Sequence, residues 1–267
     1  SRVTRMSELV LHPTTQARLE HVARNMPHAL MLHGKSGAGT GSIARELASK
    51  IGTILDTIYP KKRQPSGSYE VDLSAGTIII DDIRSLYERT RSKFTTPQVV
   101  VIDFSGRAMS PGAQNAFLKL LEEPQQNIYF ILAVQDLTQI LPTVMSRCQK
   151  IEILPITDAQ TEALLDSLDI TDPTKKSRIA FIAPGQPAEI TKLATDDAYY
   201  EARIKTVQDA RTILGADSYT RLTIIQSYKD KRPVALQLID DMIRQLQLTA
   251  MKSPSPAILE QLDSLVS

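Results

Sequence analysis

At 267 residues the chain has room for one large domain or two to three smaller ones, with enough length for a real core. Its hydrophobic fraction of 42% is ordinary for a globular protein; with no Trp and 5% aromatics, the core must rest on Leu, Ile, Val and Ala. Lys plus Arg at 31 against Asp plus Glu at 30 leaves a net charge of +1, which excludes a globally basic nucleic-acid binder and restricts any such role to a local patch.

The single cysteine, Cys148, excludes an internal disulfide and a Cys-rich zinc site, and fits a reducing cytoplasm. No apolar run approaches the roughly 20 residues that span a bilayer, and residues 1–10 lack the apolar stretch of a signal peptide, so no membrane role is expected.

In chain order, a helix over 14–24 precedes a strand over 29–33, and a glycine-rich turn leads into a helix over 42–51. The segment 60–68, P-K-K-R-Q-P-S-G-S, has loop chemistry and a basic cluster, and reads as a mobile surface loop. A strand over 69–73 and a helix over 81–93 follow, the latter carrying Ile83, Leu86 and Tyr87 at helical spacing. Short continuous apolar runs at 99–103 and 129–134 fit strands buried on both faces, and 150–154 reads as a fifth strand. Ser110-Pro111 opens a helix over 112–122, with Ser as N-cap and Pro at the first helical position, and Pro124 closes it. Alternating strands and helices predict an α/β domain with a mostly parallel sheet. After Pro155 the pattern is helical throughout. Thr157 and Gln160 form a capping box for a helix to about Leu168, short helices follow at 173–182 and 187–194, and from about Asp197 the chain is helical in some four segments, clearest at 219–228, 234–251 and 256–266. Val234, Leu238, Ile239, Met242 and Leu246 form an apolar stripe.

Leu30-Met31-Leu32-His33 runs into Gly34-Lys35-Ser36-Gly37-Ala38-Gly39-Thr40-Gly41-Ser42 and then a helix. Strand, glycine turn and helix are the context in which a P-loop holds phosphates, through backbone N–H groups and the helix N-terminus. The working pattern is G-x-x-x-x-G-K-[ST], and Gly34 and Gly39 supply its glycines, with Gly37 between them. The Lys that neutralises phosphate is replaced by Thr40, and the hydroxyl that ligates Mg²⁺ by Gly41. Lys35 lies too early and Ser42 one residue too late to substitute. The strand ending in Asp103 has the form that places a carboxylate near Mg²⁺, but Phe104 stands where the neighbouring carboxylate base is needed. Loss of three functions on separate elements predicts a degenerate nucleotide site, formed by Gly34, Gly37, Gly39, Thr40, Gly41 and Asp103, that does not hydrolyse ATP.

The run Asn115-Ala116-Phe117-Leu118-Lys119-Leu120-Leu121-Glu122-Glu123-Pro124 resembles the N-A-L-L-K-x-L-E-E-P helix of DNA clamp loaders. Two carboxylates at a helix C-terminus oppose the macrodipole, so helix propensity alone does not call for them. Leu141-Pro142-Thr143-Val144-Met145-Ser146-Arg147-Cys148 is similar to the clamp-loader segment ending in S-R-C. Ile78-Ile79-Ile80-Asp81-Asp82-Ile83-Arg84-Ser85-Leu86 resembles the family's I-x-x-D-x-I-R-x-L helix start, and Pro27-His28-Ala29-Leu30-Met31-Leu32-His33-Gly34 its P-H-A-L-L-x-x-G entry strand.

The resemblance implies an AAA+ fold: a P-loop domain with a parallel five-stranded sheet over 1–155, a three-helix lid over 156–196 and an all-α collar over 197–267. It implies that Arg147, with Ser146 and Cys148, acts in trans as an arginine finger on a neighbour's ATP. A degenerate P-loop combined with an S-R-C run is the pattern of the delta-prime type of bacterial DNA polymerase III subunit, a non-hydrolysing member of the complex. Implied partners are the gamma/tau and delta subunits, the sliding clamp and, through the assembly, primer–template DNA. The alternative is an active ATPase of the gamma/tau type.

Residues 50–70 lack the four cysteines of the family's zinc module, so no zinc is expected, and ATP is not expected as a cofactor. Ala133-Val134-Gln135 lacks the family's sensor residue, and Ala188 stands near the position of its lid arginine. Arg84, Arg89, Arg91 and Lys93 read as a solvated charged face, with DNA contact the competing reading.

Overall fold

The computed structural model describes residues 9–252. In chain order the elements are α1 (Pro13–Arg24), β1 (Ala29–His33), α2 (Thr40–Ile51), β2 (Thr53–Ile58), β3 (Lys61–Arg63), β4 (Tyr69–Val71), α3 (Ile80–Thr90), β5 (Gln98–Asp103), α4 (Pro111–Glu122), β6 (Ile128–Val134), α5 (Pro142–Met145), β7 (Gln149–Glu152), α6 (Asp158–Ser167), α7 (Pro173–Ile182), α8 (Pro187–Thr195), α9 (Asp197–Gly215), α10 (Ser218–Gln226) and α11 (Arg232–Lys252). The helix expected over 256–266 lies outside the described residues. Two compact units result: one takes the chain to Thr171 together with Ala183–Thr191, the other takes Asp172–Ile182 and the chain from Lys192 onward.

The first unit is built on a parallel five-stranded sheet in the order β2-β5-β6-β1-β7. All six residues of β5 are buried, and neighbouring side chains alternate between the two faces. Val99 and Val101 join Leu30, Leu32, Ile131 and Ala133 under α1 and α2, against Leu19, Val22, Ile43 and Leu47. Val100 and Ile102 join Met31, Phe130 and Leu132 on the other face, against Ile83 and Leu86 of α3 and Phe117 and Leu120 of α4. Helices on both faces explain the unbroken apolar runs.

Two expectations need correction. The fifth strand of the sheet is β2, not 69–73, and it lies at the sheet edge, paired only with β5. Its sequence T-I-L-D-T-I is half-buried and interrupted by Asp56 and Thr57, so it lacks the apolar run of a central strand. Residues 69–71 instead pair antiparallel with Lys61–Arg63 in a separate hairpin. The P-S-G of the expected loop is the hairpin turn: Gln64 N donates to Ser68 O (2.8 Å), Gly67 N donates to Gln64 O (2.9 Å), and Gly67 adopts φ +88°.

Helix starts follow the expected chemistry. Ser110 Oγ accepts from Ala113 N (3.2 Å) with Pro111 at the first position of α4. In the Thr157–Gln160 box, Thr157 Oγ1 accepts from Gln160 N (3.2 Å), and Thr157 N donates to Gln160 Oε1 (3.1 Å).

The second unit is helical. Ala210, Ile213, Tyr228 and Leu238 form a core between α9, α11 and the end of α10. Beside it, Arg203 of α9 and Asp241 of α11 form a buried two-pronged pair, at 2.8 and 3.1 Å. The stripe on α11 is borne out at Leu238 and Leu246, whereas Ile239 is exposed. No helix among the described residues is long and apolar enough to cross a membrane.

Candidate functional site

The glycine-rich loop joins β1 to α2, anchored where Gly34 N donates to Val134 O (3.2 Å). Gly37 and Gly39 have φ near +80°, a region that side-chain-bearing residues avoid, and Gly39 caps α2 without a side-chain bond. The Gly37 carbonyl accepts from Ala188 N (3.0 Å) and Glu189 N (3.3 Å), so the first turn of α8 is bonded to the loop. Ala188 packs beside Gly39, a neutral side chain at that position. Thr40 is buried. A cavity of about 280 Å³ opens next to the loop, with a mainly apolar wall that includes Leu9, Ala38, Ile43, Leu164 and Pro187.

Asp103 ends β5 with its side chain nearly buried. Its Oδ2 accepts from Arg45 Nη1 at 2.8 Å, and its Oδ1 accepts from Ser105 N and Ser105 Oγ, each at 3.0 Å. The Arg45 guanidinium also reaches Tyr59 Oη and Ser42 Oγ, both at 3.2 Å. A Cβ added to Gly41 would lie 2.0 Å from Asp103 Oδ2, so the carboxylate sits against the bare backbone where a functional P-loop carries a hydroxyl. Phe104 is buried in the core and offers no base.

The side chains here depart from the working pattern. The cation side chain and the hydroxyl are missing, and an internal guanidinium takes the carboxylate. Sequence reasoning missed Arg45. Its signal was faint: a cation one helical turn after Gly41, whose partner is 58 residues away.

Arg147 lies elsewhere in the first unit. Proline at the start of α5 presets a single turn, and the chain then tightens: Ser146 N donates to Pro142 O (2.9 Å), Arg147 N to Val144 O (3.1 Å) and Cys148 N to Met145 O (3.3 Å). Ser146 Oγ caps the Thr143 carbonyl at 3.1 Å. Cys148 is buried between this turn and β7, and burial pushes its thiol up to about 11, so it stays protonated and behaves as a small apolar residue. The turn therefore has one anchored side chain and one that is partly exposed, Arg147, at 37%. Arg147 Nη2 meets Glu122 Oε1 at 2.8 Å, and Nη1 donates to Thr143 O at 2.9 Å.

Gln114 is a second residue that sequence reasoning passed over. It is buried on α4, donates to the Met109 and Gln139 carbonyls (3.0 and 2.8 Å) and accepts from Leu141 N (2.7 Å). It thereby fixes α4 to the segment that launches α5. α3 ends at Thr90, short of the expected 93, so Arg91 is its C-cap and Lys93 lies beyond it; Arg84 pairs with Asp81 and Arg91 with Glu88, whereas Arg89 reaches Asp56 and the Leu55 carbonyl of β2. Among the described residues, no cluster of His, Cys, Asp and Glu is arranged to hold a metal ion.

A profile of the family described as DNA polymerase III, delta subunit, matches residues 13–157. The chain is 26% identical over 254 residues to DNA polymerase III subunit tau of Bacillus subtilis (strain 168), covering 88% of this chain and 45% of that protein. It is 25% identical over 194 residues to DNA polymerase III subunit delta' of the same organism, covering 68% and 58%. The chain thus spans about half the length of these curated relatives. Among solved structures, a point mutant of Thermotoga maritima RuvB superposes with a TM-score of 0.53 at 15% identity, over 98% of this chain and 86% of that one, which shows a shared fold.

Proposed function

This chain belongs to the DNA polymerase III, delta subunit family of clamp-loader proteins, and from that premise we propose that it is a non-hydrolysing subunit of the delta-prime type. It assembles with gamma/tau and delta subunits in the cytoplasm, and the complex places a sliding clamp on primed DNA. Its own nucleotide site does no chemistry. Its contribution is Arg147, delivered to the ATP of a neighbouring subunit.

The observation that carries this reading is the Asp103 carboxylate, bonded to Arg45 and Ser105 and pressed against Gly41. A carboxylate held this way is not available to a hydrated divalent cation. Arg147 supports the other half: it is partly exposed at the end of a short, well-braced turn. A guanidinium suits this task because it remains charged and presents forked N–H donors to phosphate oxygens. An arginine finger stabilises the transferring phosphoryl group by a factor on the order of 10³–10⁵.

The helices of 156–196 and those from 197 onward serve as lid and collar in this reading. On α10, Tyr219, Leu222 and Ile225 are exposed among the described residues, Tyr219 at 81%, an apolar face suited to packing against neighbouring collars.

The longer match to tau favours a second reading, an active gamma/tau-type ATPase. Thr40, Gly41 and Phe104 count against it. One experiment separates the two. The purified chain alone is expected to show no ATP turnover, and Arg147→Ala is expected to leave assembly intact while depressing the clamp-stimulated ATPase of the reconstituted complex. Appreciable turnover by the isolated chain, or an unchanged rate in the variant complex, would overturn the proposal.

A further inference from the structure

Two motifs far apart in the chain meet at one contact. Glu122 closes α4 in the E-E-P run, Arg147 leaves α5 in the S-R-C run, and Glu122 Oε1 lies 2.8 Å from Arg147 Nη2. Glu122 is in the last turn of α4, where the helix dipole disfavours a carboxylate, and Glu123 follows it as the C-cap. A charge at such a position calls for a compensating cation, and Arg147 supplies it. The contact also acts in the other direction. A long arginine side chain at 37% exposure would sample many rotamers, but here one terminal nitrogen is tied to Glu122 and the other to the Thr143 carbonyl. Only one N–H, on Nη1, is used in a hydrogen bond, and Glu122 holds the other terminal nitrogen as an ion pair, so the guanidinium keeps N–H donors for another acceptor.

We infer that Glu122 is the positioning residue for Arg147, so that the E-E-P and S-R-C runs are a single device. This rests on the reading of Arg147 as a trans-acting finger. Glu122 touches no nucleotide in this scheme. It restricts the guanidinium to a narrow set of conformations before a neighbour's phosphate arrives. A phosphate, with more charge and two acceptor oxygens in reach, then displaces a single exposed carboxylate. Gln114 makes the arrangement stiff, because it holds α4 to the segment leading into α5.

The test is a double-mutant cycle in the reconstituted complex, with Glu122→Ala and Arg147→Ala separately and together, and with Glu122→Gln as an isosteric companion. Assembly and folding of each variant are checked by gel filtration and circular dichroism. Glu122→Ala is expected to lower the stimulated kcat about two- to fivefold, the range an exposed ion pair can supply, with KM for ATP unchanged. Glu122→Gln, which keeps an acceptor oxygen, should fall between wild type and Ala. The combined variant should be no slower than Arg147→Ala alone, because Glu122 acts only through the arginine. If Arg147→Ala cripples the rate while Glu122→Ala leaves it unchanged, raises it, or adds its loss to that of Arg147→Ala, the positioning role is wrong and the finger stands. If Arg147→Ala has no effect, both fall.

Discussion

Two carboxylate–guanidinium pairs occupy the first unit at the same separation, 2.8 Å, and have opposite characters. In the Arg45–Asp103 pair the carboxylate is 8% exposed and every oxygen has a partner inside the chain. In the Arg147–Glu122 pair the side chains are 37% and 50% exposed, and the guanidinium keeps donors to spare. Contact distance therefore says little about purpose. The two arginine side chains are equally exposed, at 37%, so the difference lies in the carboxylates: a nearly buried one with every oxygen bonded is closed to an incoming ligand, whereas an exposed one can give up its arginine to a better anion. In the proposed role, the first pair closes off a carboxylate and the second keeps a guanidinium ready for a neighbour's phosphate.

The sharpest way to break this contrast is at Arg147. Arg147→Lys retains a positive charge but loses the planar fork, so in the proposed role it should recover little of the activity lost in Arg147→Ala. At the neighbouring site that loss is on the order of 10³-fold or more, read as single-turnover ATP hydrolysis in the assembled complex. Full rescue by Lys would mean that charge alone suffices and that the planar fork plays no part.

The next effect concerns the filled pocket. Gly41→Ser restores the hydroxyl type that a functional loop carries, yet its Cβ would enter the space of Asp103 Oδ2. The carboxylate must then swing away from Arg45, at a cost of about 2–3 kcal/mol in unfolding free energy, measured by urea titration of the isolated chain. An undiminished midpoint would show that the site still has room for the lost chemistry. Arg45→Ala leaves a nearly buried carboxylate with Ser105 alone. Because Arg45 is itself more than a third exposed, solvent replaces part of the lost interaction, and about 1–2 kcal/mol is expected in the same titration.

These pairs also mark where the sequence could be read and where it could not. β5 and β6 are buried on both faces, so unbroken apolar runs announce them, and the glycine loop, the caps at Ser110 and Thr157 and the short turn before Cys148 are local in the chain. β2 has one paired edge and a half-buried surface, so Asp56 and Thr57 hide it, and the neighbouring hairpin reads as a loop and a strand of the main sheet. The missing P-loop side chains were visible as absences. What replaced them was not, because Arg45 meets Asp103 only once the register of α2 and β5 is set. Likewise the link between Glu122 and Arg147 spans a whole strand and a short helix.

The smallest expected effect gives the contrast its cleanest reading. Glu122→Ala in the isolated chain removes an exposed ion pair worth under about 1 kcal/mol. It also removes a carboxylate from the last turn of α4, where the dipole opposes it by roughly 0.3–1 kcal/mol. The two terms have opposite signs and similar size, so the unfolding midpoint should barely move. Arg45→Ala has no such compensation and should shift it clearly. A variant that lowers the rate of the complex but leaves its own stability untouched is one whose lost contact served the assembly and not the fold. A large destabilisation by Glu122→Ala would instead make the second pair as structural as the first.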